Sequence, residues 1–247
     1  MYVKQAANVL ELLEYFARRQ TPARLAEIAD ELGWPRSSTF NIVSTMADKG
    51  FLYEPQARTG YYPTPRWLAL AQEVSHAEPV PPQFVKLAHQ LARETGETTA
   101  ISAPAGINAM FVHVVESSQP VRYFAQVGDR VPIQASSAGR ALLEKYSQAE
   151  REALYRRIGF ESYSPTSPKS PQAVECELSA ASARGYHQSN AEYTPDLAGV
   201  ALALPGTRRL SIVVVGPVSR CLEKRPETAA VMRKRLEDIQ GEEITPS

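Results

Sequence analysis

Two helical segments separated by only two residues constrain the fold of this chain more than any other feature of the sequence. Apolar residues at helical spacing run from Leu25 to Leu32, and Gly33 is the residue type that most readily ends a helix in the left-handed region. Pro35 then suits the first turn of the next helix, which Gly50 is predicted to end. Two short helices joined by such a tight turn predict a helix-turn-helix unit.

A further helix is predicted in front of this pair, from Val3 to Arg18. Its predicted buried stripe, at three- and four-residue steps, consists of Ala6, Val9, Leu10, Leu13 and Phe16. The helix that follows is predicted to start with Thr21 as its N-cap and Pro22 at its first position. The N-terminal part of the chain is therefore predicted to hold three helices.

The helix that begins at Pro35 carries an unusual polar face. Its buried residues are predicted to be Phe40, Val43, Met46 and Ala47, and the opposite side then displays Arg36, Ser37, Ser38, Asn41, Ser44 and Thr45. These residue types are poor helix formers for a merely solvated surface, but they suit close approach to base edges and phosphates. Asn41 is a candidate partner for adenine, and Arg36 for a phosphate or a guanine. An ordinary polar helix face is the alternative interpretation.

Two aromatic-rich segments, Phe51–Tyr53 and Tyr61–Thr64, flank a polar turn and predict a β-hairpin. A hairpin directly after a helix-turn-helix is typical of a winged domain, with Arg58 at the tip of the wing available for a phosphate or the minor groove. The full set of predicted DNA contacts is Arg24, Arg36, Ser37, Ser38, Thr39, Asn41, Ser44, Thr45 and Arg58.

The rest of the chain combines strand-like and helical segments. Predicted strands are Thr98–Ser102, Met110–Val115, Val121–Val127, Leu197–Leu204 and Leu210–Val215, and predicted helices are Arg66–Val74, Phe84–Glu94 and those starting at Ala138, Gln148, Pro171 and Pro226. Hairpin-like spacings between strands indicate an α+β domain around a largely antiparallel sheet. Because prolines cluster between Glu78 and Pro82, we expect a winged helix-turn-helix at 1–65, a linker helix and proline-rich connection at 66–80, and a second domain at 81–247.

Motifs along nearly the whole chain resemble the IclR family of bacterial transcriptional regulators. The N-terminal ones are Ala26-Glu27-Ile28-Ala29-Asp30-Glu31-Leu32-Gly33, Pro35-Arg36-Ser37-Ser38 and Thr59-Gly60-Tyr61-Tyr62. The later ones are Gln134–Leu143, Arg184-Gly185-Tyr186, Glu192-Tyr193 and Val215-Gly216-Pro217 with Arg220. The resemblance implies a GAF-like effector-binding C-terminal domain and a homodimer, which in the family often pairs into a dimer of dimers, on palindromic double-stranded operator DNA. It favours a repressor of a catabolic operon.

Small polar residues before the helix at Ala138 form a candidate anion site, since free N–H groups and the helix dipole point at the incoming group. An ordinary N-cap is the alternative. The resemblance implies that this loop binds a small organic acid together with two later segments. The implied effector residues are Ser136, Ser137, Ala138, Gly139, Ser189, Asn190, Leu197, Gly199, Val213 and Val215. His113 is a further candidate, inward by alternation with Phe111, although a core position suits it equally.

The apolar residues Val213 and Val215 determine the predicted character of the effector. Some members of the family carry small hydroxyl residues at these positions, a Cys at the Gly199 position and an acidic residue near Ser189. Apolar replacement disfavours a very polar two- or three-carbon acid. We therefore expect an aromatic or otherwise larger carboxylate, with its charge at Ser136 to Gly139 and its body against the two valines.

Charge and composition narrow the remaining function classes. The 27 Lys and Arg residues balance 27 Asp and Glu residues, so net charge gives no support for DNA binding. Cys176 and Cys221 show neither a disulfide nor a metal-ligand pattern, and no metal or cofactor is expected. Apolar runs are too short to cross a membrane and no secretion signal is visible, so a cytoplasmic protein with no membrane partner is expected.

Catalytic motifs are missing from the sequence. It contains no G-x-S-x-G elbow, no phosphate-binding glycine loop and no H-E-x-x-H pattern, so the chain is not expected to be an enzyme. The main alternative function is a winged helix that serves only as a protein-docking surface.

Overall fold

The computed structural model describes residues 3–56, 59–75 and 80–243, and it divides the chain into two units, Met1–Pro79 and Val80–Ser247. Each unit has its own hydrophobic core. Leu12, Phe16 and Ile28 lie in the core of the first, and the second has one core on each face of a sheet. The predicted wing-tip residue Arg58 lies outside the described residues.

The first unit is a winged helix-turn-helix, as the sequence predicts. Its elements in chain order are α1 (Lys4–Arg19), α2 (Leu25–Leu32), α3 (Arg36–Asp48), β1 (Leu52–Tyr53), β2 (Tyr62–Pro63) and α4 (Arg66–Ser75). Gly33 ends α2 in the left-handed region, with a φ of 64°, and Pro35 is the N-cap of α3. The wing strands β1 and β2 pair antiparallel.

The start of α2 differs from the prediction. The helix begins at Leu25 with Arg24 as its N-cap, whereas the sequence predicted Thr21 as the cap. The intervening Ala23 forms an antiparallel bridge with Tyr61, in which each backbone N–H donates to the other's carbonyl at 3.0 and 2.8 Å. A contact between the wing and the α1–α2 connection therefore overrides the local capping signal.

The buried faces of α1 and α3 are rotated relative to the predicted ones. Helix α1 buries Leu12, Tyr15 and Phe16, whereas Leu10, predicted to be buried, is 63% exposed. Helix α3 buries Thr39, Ile42, Val43 and Met46, and Phe40 is 55% exposed. Both helices carry apolar residues on two overlapping stripes, and the packing partner decides which stripe is buried.

The second unit is α+β, as predicted, with a mainly antiparallel sheet flanked by helices. Its elements are α5 (Pro82–Thr95), β3 (Thr98–Ala105), β4 (Asn108–Val115), β5 (Arg130–Pro132), α6 (Ser137–Leu143), α7 (Gln148–Tyr155), α8 (Pro171–Arg184), β6 (His187–Asn190), β7 (Leu197–Ala203), β8 (Ser211–Pro217), α9 (Val218–Cys221) and α10 (Arg225–Glu243). The six strands lie in the order β5-β4-β3-β8-β7-β6, and each neighbouring pair is antiparallel.

Helices cover both faces of this sheet. On one face α6, α7 and α8 pack over strand residues that include Phe111, Val213 and Val215. On the other face α5 and α10 pack over residues that include Val200 and Val214. Burial on both faces explains why β7 and β8 are nearly continuous apolar runs rather than alternating ones.

The strand predicted at Val121–Val127 is wrong. These residues form an irregular loop, in which Val121, Phe124 and Val127 are exposed. Val121, Tyr123, Ala125 and Val127 do follow the two-residue repeat of a strand, but local alternation does not show whether a pairing partner is available. The edge strand of the sheet is instead β5, which pairs with the start of β4.

A β-bulge in β4 reverses the expected side-chain alternation. Ile101 of β3 lies opposite His113, but the next residue, Ser102, lies opposite Phe111, so that Val112 is the extra residue. Phe111 packs on the α6 face, whereas Val112 packs on the α5 face, and the His113 ring lies 5.5 Å from the ring of His89 on α5. His113 therefore faces away from Phe111, contrary to the prediction.

Candidate functional site

The exposed face of α3 carries most of the predicted DNA contacts. Arg36, Ser37, Asn41 and Thr45 are exposed, and Ser38 and Ser44 are half-buried. Thr45 donates its hydroxyl hydrogen to the backbone carbonyl of Asn41 at 2.6 Å, so this bond does not use the Asn41 side-chain amide. Arg24, at the N-cap of α2, is also exposed.

Thr39 is a correction to the predicted set. Its side chain is fully buried, and its hydroxyl donates to the Pro35 carbonyl at 3.2 Å inside the first turn of α3. Thr39 therefore fastens the start of α3 and has no free surface for DNA. Phe40, which the sequence placed in the core, lies on the exposed side in its stead.

A pocket lies between α6 and the sheet of the second unit. It is lined by residues from strands β4 to β8, the loops on either side of β5, the start of α6 and the β6–β7 connection: Phe111, Tyr123, Val131, Ala135, Ser136, Ser137, Ala138, Ser189, Glu192, Tyr193, Thr194, Leu197, Val213 and Val215. Its volume is about 50 Å³, which leaves room for a few water molecules. A larger ligand therefore requires the lining side chains to move.

Seven of the predicted effector residues line this pocket, namely Ser136, Ser137, Ala138, Ser189, Leu197, Val213 and Val215. Hydroxyl groups cluster at one end, where the Ser189 and Ser137 oxygens lie 3.4 Å apart. The two valines and Leu197 form an apolar wall. The pocket thus has a small polar end and an apolar body.

The loop before α6 is held in place by Ser136. Its hydroxyl accepts the Gly139 N–H at 3.1 Å and donates to the Pro132 carbonyl at 2.7 Å. This side chain is the N-cap of the helix, which was the alternative interpretation for this segment. Ser136 therefore positions the polar end of the pocket.

Four predicted effector residues do not line the pocket. His113 lies on the opposite face of the sheet because of the bulge in β4. Gly139 packs against backbone, since a Cβ there would lie 2.3 Å from the Ile133 carbonyl oxygen. Asn190 accepts the Thr166 hydroxyl through its carbonyl at 2.9 Å. Gly199 lies behind the lining, where a Cβ would be 2.7 Å from the Ser137 hydroxyl oxygen.

Glu192 is a charged residue on the wall of the pocket, and the sequence did not predict it there. Its carboxylate accepts two hydrogen bonds from the guanidinium of Arg140, one of them at 3.0 Å, and Arg140 is 1% exposed. Arg140 also donates to the Gln134 and Gln188 carbonyls. Each carboxylate oxygen has a second lone pair beyond the one that Arg140 uses, so Glu192 can still accept a hydrogen bond from a ligand.

Two tyrosines complete the wall. Burial and the Asp129 carboxylate raise the pKa of Tyr123, so its hydroxyl stays protonated and able to donate. Tyr193 contacts Tyr163 edge to face, with the ring centres 5.1 Å apart. The 164–167 loop is tied to the same segment, because the Ser164 and Ser167 hydroxyls donate to the Glu192 carbonyl.

Neither a metal-binding group nor a membrane-spanning helix is found among the described residues. Within residues 3–56, 59–75 and 80–243, no three His, Cys, Asp or Glu side chains come together as metal ligands. Over the same ranges, no helix combines the length and apolar character needed to cross a bilayer.

Comparison with protein families gives two matches in chain order. A model of the IclR helix-turn-helix domain matches residues 5–55, and a model of the C-terminal domain of bacterial IclR transcriptional regulators matches residues 75–240. The acetate operon repressor of Salmonella typhimurium is 26% identical over 253 residues, which cover 96% of this chain and 89% of the relative. The transcriptional repressor AllR of Escherichia coli K12 is 24% identical over 229 residues, which cover 90% and 84%.

Solved structures share the fold over the whole length. The crystal structure of Thermotoga maritima IclR matches with a TM-score of 0.74 at 17% identity and covers 98% of this chain and 99% of its own. An IclR homolog from Microbacterium hydrocarbonoxydans, complexed with 4-hydroxybenzoate, matches with a TM-score of 0.69 at 21% identity over 95% and 99%.

Proposed function

Because this chain belongs to the IclR family of bacterial transcriptional regulators, we propose that it represses a catabolic operon and that a small organic acid controls its binding to the operator. In this proposal residues 1–65 contact DNA, residues 66–80 connect, and residues 81–247 bind the effector. The protein acts as a homodimer, or as a dimer of dimers, on a palindromic site. The curated relatives named above are repressors, which supports the direction of control.

The exposed face of α3 is the observation that carries the DNA-binding part of the proposal. Helix α3 is the second helix of the helix-turn-helix, the one that enters the major groove in such domains. Its exposed Asn41 has the amide that pairs with adenine, and Arg36 at its first turn has the guanidinium that binds guanine or phosphate. Ser37, Ser38, Ser44 and Thr45 are short enough to let the backbone approach DNA.

The chemistry of the pocket supports an effector with a carboxylate and an apolar body. The hydroxyls of Ser137 and Ser189 suit a carboxylate, and Val213, Val215 and Leu197 suit a ring. A two- or three-carbon acid would leave that apolar wall uncovered. The 4-hydroxybenzoate complex of the Microbacterium homolog shows that a protein of this fold binds an aromatic acid.

The proposed mechanism is a two-state equilibrium of the dimer. Effector binds one arrangement better and so shifts the spacing of the two reading helices relative to half-sites about one DNA turn apart. A differential affinity of a few kcal/mol is sufficient for such a shift. The pocket lies beneath α6, so a bound effector contacts the start of α6 directly.

Two measurements on the purified protein test the proposal. A gel shift on the DNA upstream of the coding gene is expected to give a specific complex, which the effector weakens. Calorimetric titration with a panel of benzoates, pyruvate and glyoxylate is expected to show binding of an aromatic acid. Tight binding of pyruvate or glyoxylate alone would overturn the aromatic assignment, and operator affinity that no ligand changes would overturn the control mechanism.

A further inference from the structure

Phe40 is an exposed aromatic residue on an otherwise polar helix face. Its side chain is 55% exposed, although the sequence pattern placed it in the core. The stripe that α3 buries is complete without it, because Thr39, Ile42, Val43 and Met46 fill the contact with the rest of the unit. Core packing therefore does not account for Phe40.

The neighbours of Phe40 on the helix surface are polar. Residues three and four positions away are the neighbours on a helix, and outside the core these are Arg36, Ser37 and the half-buried Ser44. Long side chains on a helix lean toward its N-terminus, which directs the Phe40 ring over the turn that contains Arg36 and Ser37. The ring is therefore exposed among hydrogen-bonding side chains near the N-terminal end of α3. In this class of domain that end of the recognition helix contacts the base edges.

The major groove offers one apolar group to such a ring. Thymine carries a 5-methyl group there, while the other three bases present hydrogen-bond donors and acceptors that a phenyl ring cannot satisfy. Building on the proposed DNA-binding function, we propose that Phe40 packs against a thymine methyl group and specifies thymine at one position in each operator half-site. Asn41, the next residue, is suited to adenine, so the two residues together read both kinds of base of an A·T-containing segment.

Removal of the methyl group from DNA tests this contact without altering the protein. A binding duplex is first selected in vitro from random sequences with the full chain, and each thymine of one half-site is then replaced by deoxyuridine. Fluorescence anisotropy is expected to show one position at which the wild-type protein loses about 4-fold in affinity, the equivalent of one buried methyl group. Uracil at the other positions is expected to have little effect.

A double-mutant cycle with Phe40→Ala assigns that loss to the ring. The variant is expected to bind the thymine duplex about 4-fold less tightly than wild type, with no further loss on the uracil duplex. Phe40→Leu is expected to restore part of the methyl sensitivity. Because Phe40 is exposed, its substitution should leave the melting temperature unchanged, and Val127→Ala, 66% exposed in the other unit, serves as the control that keeps full methyl sensitivity.

Three results would overturn the inference. A selected site that tolerates uracil at every position would do so, as would a Phe40→Ala variant that keeps the wild-type response to uracil, since the ring would then act on something other than a methyl group. In both cases specific DNA binding would stand and the proposed function with it. Failure to select any sequence would overturn the proposed function as well.

Discussion

Arg140 carries a full charge inside the second unit, with a side chain that is 1% exposed. The Glu192 carboxylate and the carbonyls of Gln134 and Gln188 accept hydrogen bonds from the two terminal nitrogens of its guanidinium, which offsets much of the cost of its burial. The same pair fixes Glu192 on the pocket wall. One side chain thus serves both the core and the candidate effector site.

Removal of this guanidinium is expected to be costly. Arg140→Met leaves the Glu192 carboxylate without its counter-charge and should lower the free energy of unfolding by about 3–5 kcal/mol, as measured by urea denaturation. The double variant with Glu192→Gln should recover part of this loss. As a control, Arg122→Met removes an exposed pair with Glu116 and should cost at most about 1 kcal/mol; equal losses for the two arginines would refute the role of burial.

Asn41→Ala tests base reading by α3. The Asn41 side-chain amide can accept a hydrogen bond from the adenine amino group and donate one to adenine N7. Its loss should therefore weaken binding to the operator by about 1–3 kcal/mol. Binding to random DNA and to the effector should be unchanged. Thr21→Ala, at an exposed site outside α3, provides the control. An equal loss on operator and random DNA would contradict a base-reading role.

Which site residues the sequence could predict depends on how local their contacts are. The Ser136 cap bonds within four residues, so a short motif revealed it. Glu192 enters the pocket through Arg140, 52 positions away in the chain, and no local pattern reports that contact. Tyr123 belongs to an irregular loop and was likewise missed.

Among the elements, β4 shows how one extra residue changes the face of the sheet to which a side chain points. Strict alternation would place His113 beside Phe111, but the extra residue Val112 turns His113 toward α5. A bulge depends on the pairing of two strands, so the sequence of β4 alone does not announce it. The helices of the second unit that have Ser147 or Ser170 as caps begin where the sequence predicts, because a cap is a local signal.

The bulge predicts opposite roles for two nearby residues of β4. Phe111→Ala should weaken effector binding because Phe111 lines the pocket, whereas His113→Gln should leave effector affinity within about 2-fold. Calorimetry with the same aromatic acid measures both. A large loss of effector affinity in His113→Gln with unchanged stability would place His113 back in the site.

His113 also predicts a pH dependence of stability. Burial, and then the neighbouring His89, lower the pKa of His113 below its usual 6.5, so the folded chain favours the neutral ring. The unfolded chain takes up the proton first, and the free energy of unfolding should therefore fall as the pH drops below about 6.5. The fall should be smaller in His113→Gln, as measured by urea denaturation between about pH 8 and pH 5. Identical pH profiles would refute this assignment.

The cap of α7 predicts a second pH effect. Hydrogen bonds from Arg209, and then from the Ser147 backbone and hydroxyl, lower the pKa of Glu150 to about 2. Its contribution to stability is present above the ordinary pKa of 4.5 and is lost as the pH falls toward 2. Glu150→Gln should therefore destabilise the protein near neutral pH but match wild type in strong acid. Glu152→Gln, on the same helix, is the control. If the stability difference between Glu150→Gln and wild type persisted in strong acid, ionisation of Glu150 would not be its cause.

For the molecule as a whole, α4 is where a second copy is expected to pack. Trp67 contacts the first unit, with its ring nitrogen donating to the Phe51 carbonyl at 3.0 Å. The same helix face continues through Leu70 and Val74, which are exposed. An apolar stripe that continues from a buried core onto the surface is typical of an oligomer contact.

The proposed homodimer can be tested on this stripe. Leu70→Asp combined with Val74→Asp should shift the protein to monomer in sedimentation velocity and lower operator affinity, because two linked reading helices bind more tightly than one. Leu68→Asp is the matched control, since Leu68 is also exposed but lies on another side of α4. A double variant that remains dimeric would place the interface elsewhere.

At this scale the class of fold was predictable and the strand order was not. Segment lengths, caps and apolar runs indicated an α+β unit with antiparallel pairing. The placement of β3 beside β8 joins residues such as Thr98 and Val215 from distant parts of the chain. The order of the strands depends on pairing between distant segments, and local residue patterns carry no information about that pairing.

The separation of the hydrophobic cores has an evolutionary consequence. The core around Leu12 and Phe16 draws its residues from the first unit, and those on the two faces of the sheet draw theirs from the second. Recombination near the boundary can therefore exchange one unit without opening the interior of the other. A lineage with this architecture can exchange its effector-binding domain while keeping its DNA-binding domain, and laboratory chimeras joined at the same boundary can do the same.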